Sequence, residues 1–204
     1  LRRPGLKRTV ALPAEQLLLS GPGRGYSPIR RALQQDLAQG RDVQIMAAYF
    51  LPTLRLRRAI VRAARRGRSV RLLLPGQSDV AVSRLAGQSL YRRLLKAGVE
   101  IYEYEPQNLH GKLFIVDDAV YVGSANLDPR SLSINYELMI RFQNPAMAAE
   151  AREVFAGALT HCRRIEPEPW RRSRTFWARI KSRWAYFLLR SEERRVGKEC
   201  RSRW

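Results

Sequence analysis

The chain has 204 residues, and its 38 Lys and Arg against 18 Asp and Glu give a formal net charge of +20. This length suits one domain with a short extension, and the charge predicts an anionic partner, either a nucleic acid or an acidic membrane surface. Two cysteines and two histidines, with no acidic cluster around them, exclude a disulfide framework and speak against a protein-built zinc site.

The apolar pattern predicts alternating strands and helices. Residues 1–16 are basic and irregular at their start and are predicted to be a linker that follows a missing N-terminal part. A short strand at 17–20 precedes a helix that begins at Ser27-Pro28 and ends at Gly40. Further strands are predicted at 43–50, 70–74, 99–104, 120–122 and 138–142, and helices at 54–66, 82–97 and 146–159. This alternation predicts an α/β fold whose sheet is covered on both faces.

The chemistry of the chain is concentrated in residues 109–117, which are predicted to form a strand. Alternation places His110 and Lys112 on one side, about 6.5–7 Å apart. Leu109, Leu113 and Ile115 occupy the other side, where they favour burial. An imidazole and an ammonium side by side pack poorly in a core but hold an anion well.

A second polar segment follows at 123–126. Gly123 allows close backbone approach, Ser124 brings a hydroxyl and Asn126 an amide. Together with His110 and Lys112, the set provides a nucleophile or acid, a fixed charge and hydrogen-bond donors. Attack at the phosphorus of a phosphodiester needs these groups.

These residues resemble the H-x-K-x4-D motif, with its trailing G-S-x-N, of the phospholipase D superfamily. Other stretches are similar to the C-terminal half of bacterial cardiolipin synthases, and they lie at 48–52, 73–79, 98–104 and 126–137. The resemblance implies a three-layer α-β-α sandwich with a mixed sheet. It also implies catalysis through a covalent phosphohistidine, in which one His attacks phosphorus and a second His protonates the leaving alcohol, with no metal and no cofactor.

The resemblance assigns a role to each site residue. His110 matches the motif His, whereas Lys112, Ser124 and Asn126 match residues that hold phosphate oxygens. Glu137 matches a carboxylate that orients the motif His through its other ring nitrogen. Asp117 is the third motif residue, and its place at a hairpin turn favours turn hydrogen bonds and salt bridges over direct chemistry.

Two features depart from the family pattern. Five residues separate Asp117 from Gly123, one fewer than is usual, and we expect the hairpin turn at 117–119 to absorb the difference. Only one motif is present, because His161 has no Lys two residues later and is predicted to be a solvated or capping residue. The second motif is expected from an N-terminal half, since the chain opens without Met, or from a twin subunit.

Residues 166–190 are predicted to form a basic amphipathic helix. Its aromatic and apolar residues recur at helical spacing and include Trp170, Trp177, Ile180, Trp184 and Phe187. Such a helix is typical of a membrane interface, although packing on its own domain and nucleic-acid binding are alternatives. No run of about 18 apolar residues is present. Residues 191–204 continue no pattern and are predicted to be a non-native tail without regular structure.

The sequence and the resemblance therefore predict a catalytic domain at 17–165. The expected activity is that of a phosphatidyltransferase acting on phosphatidylglycerol, held peripherally at the cytoplasmic face of a bacterial inner membrane. One alternative is a homodimeric single-motif phosphodiesterase or nuclease. Another is a catalytically incomplete membrane-binding half.

Overall fold

The computed structural model describes residues 8–11, 15–22 and 27–202. Strands in chain order are β1 (Arg8–Ala11), β2 (Glu15–Ser20), β3 (Asp42–Ala47), β4 (Ser69–Pro75), β5 (Glu100–Tyr104), β6 (Lys112–Val116), β7 (Ala119–Gly123), β8 (Glu137–Gln143) and β9 (Cys162–Arg164). Helices are α1 (Pro28–Gln39), α2 (Leu54–Arg65), α3 (Ala81–Leu95), α4 (Pro129–Ser133), α5 (Pro145–Leu159), α6 (Pro167–Ser173) and α7 (Phe176–Ser202).

The strands form one mixed sheet in the order β1-β2-β8-β7-β6-β3-β4-β5-β9. The pairs β3–β4 and β4–β5 are parallel, as their helical crossovers require, and the other pairs are antiparallel. Helices α1, α2 and α3 bury their apolar faces on one side of the sheet, and α5 covers the other side with Ala148, Ala151 and Phe155. The predicted three-layer α/β sandwich is confirmed.

Local signals set most helix ends. Ser27 accepts a hydrogen bond from the Arg30 amide, with Pro28 at the first helical position, so α1 begins where predicted. Gly67 and Gly98, which follow α2 and α3, have φ values of +75° and +90°. Only glycine adopts such values without strain, and the glycines thus fix the return of the chain to β4 and β5.

Three elements depart from the linker and loop predictions. Residues 8–11 were expected to be a linker, but they form β1, which pairs antiparallel with β2. The chain also forms α4 after the polar segment and β9 after α5. All three are short and lack a full period of apolar residues. Pairing with β2 and β5 forms the two strands, whereas Asp128 and Pro129 start α4 as local capping residues. Residues 1–7 and 12–14 of the predicted linker lie outside the described residues.

The C-terminal helix is two helices rather than one. The chain leaves the helical conformation at Arg174, and the Thr175 hydroxyl accepts a hydrogen bond from the Ala178 amide at the start of α7. Helix α7 then runs to Ser202, so the expectation of irregular structure from Ser191 is wrong, because Glu, Arg and Lys there favour a helix. None of the helices in the described ranges is long and apolar enough to cross a bilayer.

Candidate active site

The predicted site residues, except Asp117, meet at one edge of the sheet. Strands β3 and β7 end at this edge and β6 and β8 begin there, as the strand pairings show. Lys112 pairs with Ala47 across β3 and β6, while Gly123 pairs with Met139 across β7 and β8. The topology thus brings the 109–117 segment, the 123–126 segment and Glu137 together from three neighbouring strands.

His110 lies at the mouth of this edge. The strand that was predicted from Leu109 begins at Lys112, so His110 and Gly111 precede it and the His110 side chain is exposed. The predicted alternation is confirmed beyond that point. Leu113 and Ile115 join the cluster under α5, and Phe114 and Val116 join the opposite core.

Lys112 is fixed beside His110 by a backbone contact. Its Nζ donates a hydrogen bond to the His110 carbonyl oxygen at 2.8 Å. Partial burial lowers the pKa of the Lys112 ammonium, while the negative charge of Glu137 acts in the opposite direction. The Lys112 ammonium at this edge is therefore partly removed from water and lies near the carboxylate of Glu137.

Glu137 is tied to Ser124. The Ser124 hydroxyl donates a hydrogen bond to Glu137 Oε2, and the Leu138 amide donates to Ser124 Oγ at 3.1 Å. Asn135 Nδ2 donates to Glu137 Oε1 at 3.4 Å. The contact of Glu137 with His110 that the resemblance implies stays a prediction.

Asn126 is buried and cross-links the site to β3. Its Oδ1 accepts a hydrogen bond from the Tyr49 amide at 3.2 Å, and the Leu51 amide donates to the Leu127 carbonyl at 2.8 Å. The carbonyl of the Asn126 side chain is thus engaged by backbone, and its NH2 group is the part of the side chain that remains available as a donor.

Comparison with known protein families identifies the domain. The model of the family described as "Cardiolipin synthase, PLD-like domain" matches residues 32–159. The chain belongs to the phospholipase D-like domain family.

Similar proteins show how much of a longer chain this domain represents. It is 38% identical over 159 residues to Cardiolipin synthase B of Salmonella typhi, covering 77% of this chain and 38% of that protein. The chain thus spans less than half the length of this relative. The fold matches the phospholipase D family member Nuc of Salmonella typhimurium with a TM-score of 0.61 at 19% identity, covering 74% of this chain and 99% of Nuc. It also matches phosphatidylserine synthase of Haemophilus influenzae with a TM-score of 0.62 at 17% identity, covering 85% of this chain and 47% of the synthase.

The shortened spacing of this phospholipase D-like domain falls in the hairpin turn. Val116 pairs directly with Ala119, so the turn contains only Asp117 and Asp118, and Asp117 has a φ of +50°. This ladder brings Gly123 to the position beside Lys112. A two-residue turn thus connects β6 to β7, and the polar segment that follows β7 lies at the edge.

Asp117 lies at the far end of β6, about 17 Å along the strand from Lys112. Its carboxylate accepts hydrogen bonds from the amides of Arg41 and Asp42, each at 2.9 Å to Oδ1. These contacts fasten the hairpin to the start of β3. The geometry supports the turn role that the sequence favoured, although no ion pair of its carboxylate is among the described salt bridges.

We expect Asp117→Ala to lower the free energy of unfolding by about 2 kcal/mol, because the exposed Arg41 amide and the half-buried Asp42 amide both lose an ionised acceptor. Alanine is also strained at the positive φ of this position. Chemical denaturation of the variant measures the loss. Asp118→Ala, in the same turn, is the matched control and should change stability by less than about 0.5 kcal/mol; equal losses would contradict the anchoring role of Asp117.

Sequence reasoning assigned no role to three polar residues of this edge. Tyr49 donates a hydrogen bond from its hydroxyl to Asp79 Oδ1 at 3.2 Å, and burial together with this carboxylate raises the pKa of Tyr49. Asp128 caps α4 by accepting the Ser131 amide at 3.0 Å, and burial raises its pKa. These residues could have been predicted from their position, because polar residues that follow buried strands often lie at the ligand-binding edge of α/β sheets.

The second histidine lies elsewhere. His161 is exposed in the turn between α5 and β9, and its ring stands edge-on to Tyr104 at 6.5 Å between centroids. Strand β5, which carries Tyr104, is three strand positions from β6, or roughly 14 Å. Within the described ranges, no group of three or more His, Cys, Asp or Glu side chains is arranged to hold a metal ion.

Proposed function

We propose that this chain is the catalytic half of a phosphatidyltransferase that acts on phosphatidylglycerol through a phosphohistidine. The observation that carries the proposal is the sheet edge where His110, Lys112, Ser124 and Glu137 converge. Membership of the family and the 38% identity to a protein named Cardiolipin synthase B support it. The proposed catalytic domain comprises residues 17–165, and β1 with the first two residues of β2 extends its sheet.

The reaction transfers the phosphatidyl group in two steps, first to His110 and then to a second lipid. A neutral His110 nitrogen attacks phosphorus, a P–N bond forms, the P–O bond to glycerol breaks, and a second histidine gives its proton to the leaving oxygen. A hydroxyl of another phosphatidylglycerol then attacks the same phosphorus. The P–N bond breaks, the second histidine recovers a proton from that hydroxyl, and cardiolipin and glycerol are the products. The two histidines could exchange roles without changing this balance.

The residues around His110 stabilise the charge that develops on the phosphate. Lys112 supplies a cation and Asn126 an amide donor. The Ser124 hydroxyl donates to Glu137 in the substrate-free protein, so an incoming phosphate oxygen competes with that carboxylate for it. Glu137, on the same side of the site, is proposed to orient the His110 ring through its other nitrogen.

The second histidine comes from another half, either in the same longer chain or from a homodimeric partner. Support comes from the presence of one motif in 204 residues and from the match to only 38% of a longer relative. The fold comparison gives further support, because the match covers nearly all of Nuc but only about half of the phosphatidylserine synthase.

Helix α7 supports a membrane location. One side packs on α3 through the buried residues Ser182 and Ala185. The side facing solvent carries Phe176, Trp177, Trp184, Phe187 and Leu188, each more than half exposed, which we call the aromatic stripe. Helical spacing places Lys181 on one flank of the stripe and Arg179 and Arg183 on the other. This arrangement suits peripheral binding to an anionic leaflet, such as the cytoplasmic face of a bacterial inner membrane.

We expect Trp184→Ser combined with Phe187→Ser to weaken binding to phosphatidylglycerol vesicles at least tenfold. Both side chains are exposed, so the fold is retained, while two large apolar groups are lost from the bilayer interface. Co-sedimentation with vesicles measures the change. Val154→Ser on α5 removes an equally exposed apolar side chain outside the stripe and should bind as the parent does.

Turnover on phosphatidylglycerol vesicles, with products identified by mass spectrometry, tests the function. Cardiolipin together with glycerol supports the proposal. Cleavage of DNA with no lipid product would favour the homodimeric nuclease. Vesicle binding without any product from this chain would identify it as an incomplete half, and adding the N-terminal half of a longer relative should then restore turnover.

A further inference from the structure

A second basic site lies away from the sheet edge. A cavity of about 960 Å³ opens between the C-terminal half of α3, helix α6 and the start of α7. Six exposed basic side chains line it, and they are Arg92, Lys96, Arg171, Arg172, Arg179 and Arg183. The acidic residue of its lining is Glu168, which pairs with Arg171 at 3.0 Å. The cavity therefore holds a large excess of positive charge.

A seventh basic residue, Arg174, is built into the wall. It is half-buried, with its guanidinium 4.9 Å from the centre of the Trp170 ring, and its Nη1 donates to Gln88 Oε1 at 3.1 Å. Its Nη2 donates to the Ser182 hydroxyl. Burial lowers the pKa of Arg174, with nearby Arg84 acting in the same direction.

Arg174 is positioned through an amide rather than by a direct ion pair. Gln88 Nε2 donates to the buried Glu103 at 3.1 Å, and Arg163 already pairs with that carboxylate at 2.8 Å. Within the described part of the chain, Arg174 makes no salt bridge. A half-buried cation held in place and left without a direct carboxylate partner is suited to an added anion.

The cavity is separate from the reacting edge but connected to it by α7. Helix α7 runs antiparallel to α3, since Ser182 lies near Gln88 while Ala185 and Leu189 pack with Leu51, Leu85 and Ala86. The Leu51 amide donates a hydrogen bond to the carbonyl oxygen of Leu127, the residue after Asn126. The cavity flanks the first turns of α7, whereas Ala185 and Leu189, near the middle of the helix, pack beside Leu51 next to the site edge, about 16 Å away along α3.

We propose that this cavity binds the phosphate headgroup of an anionic phospholipid that is not the reacting lipid. Phe176 lines the cavity and also belongs to the aromatic stripe, so a bilayer that contacts the stripe brings headgroups to the cavity mouth. The cavity is more than large enough for a glycerophosphate headgroup. Such a lipid would hold α6 and α7 at a fixed position on the membrane. The inference rests on the proposed membrane function.

Charge reversal tests the site with a closely matched control. Arg92→Glu with Lys96→Glu changes two exposed residues four apart, in the last turn of α3 and at its C-cap, that line the cavity. Arg58→Glu with Arg62→Glu changes two exposed residues four apart on α2 that do not line it. Both pairs alter the net charge equally. We expect the cavity variant to bind phosphatidylglycerol vesicles at least about 10-fold more weakly and the control less than about 3-fold.

Equal losses in the two variants, or no loss in either, would overturn the proposal, because general charge alone would then explain binding. Chemical denaturation confirms that both variants fold. Arg172→Glu on α6 serves as a single cavity variant if the double variant is destabilised, and it should also weaken vesicle binding more than Arg62→Glu does.

Titration with dispersed short-chain phosphatidylglycerol separates this inference from the proposed function. The parent should bind it saturably, the cavity variant at least about 10-fold more weakly, and the result does not depend on turnover or on the aromatic stripe. Equal affinity for inorganic phosphate would indicate a general anion site and overturn the lipid assignment. A cavity variant that loses a 20-base-pair DNA duplex but keeps vesicle binding would assign the cavity to nucleic acid instead.

Discussion

His110→Ala is expected to reduce phosphatidylglycerol turnover at least roughly 100-fold, the lower bound for removing a general acid, and by more if His110 is the nucleophile. The side chain is exposed at the mouth of the sheet edge, so its removal should leave the fold intact. Turnover is measured in the assembly that converts phosphatidylglycerol, and thermal unfolding checks the structure.

The other histidine is an unusually good control. His161→Ala removes the same imidazole from an exposed turn, and the chain has only these two histidines. Turnover should stay within about twofold of the parent. If both substitutions abolished turnover, the chain would supply both catalytic histidines, and the need for a second half would be refuted.

Gly123→Ala is expected to lower the free energy of unfolding by about 3 kcal/mol. A Cβ at this position would collide with the Leu138 carbonyl oxygen and come within 2.8 Å of Met139 Cα. Both are backbone atoms of the paired strand, so β7 and β8 must separate at the site edge. Because Ser124 follows directly, its displacement should also reduce turnover of the folded protein by roughly 100-fold.

Gly157→Ala separates this steric effect from the general effect of adding a methyl group. Gly157 lies on the exposed side of α5, and a Cβ there meets no atom within 4 Å. Alanine should raise the free energy of unfolding by about 0.5–1 kcal/mol, because it is the better helix former. Denaturation of the two variants should therefore move in opposite directions, and a similar loss in both would contradict the close packing of Gly123.

Local sequence signals were sufficient for the framework of this fold. Ser27-Pro28, Gly67 and Gly98 mark helix boundaries through backbone chemistry that acts within a few residues, and Leu113 and Ile115 mark a buried face by alternation. The position of the hairpin turn at Asp117 and Asp118 was also predictable from local sequence, since a hairpin tolerates a change in length most readily at its turn.

Contacts between distant segments were not predictable. The bond between Ser124 and Glu137 depends on the register of β7 against β8, and the anchoring of Asn126 by Tyr49 depends on where β3 ends. The break at Arg174 depends on its contacts with Gln88 and Trp170. Such features are set by tertiary packing, which no local pattern specifies.

The last strand of the sheet bears on solubility. Strand β9 has three residues, and its Arg163 and Arg164 form ion pairs with Glu103, Glu105 and Glu100. A short, charged edge strand has few unpaired backbone N–H and C=O groups to which another chain could add a strand. Self-association of this protein through sheet extension at β9 is therefore disfavoured, and we expect the proposed second half to bind at another surface.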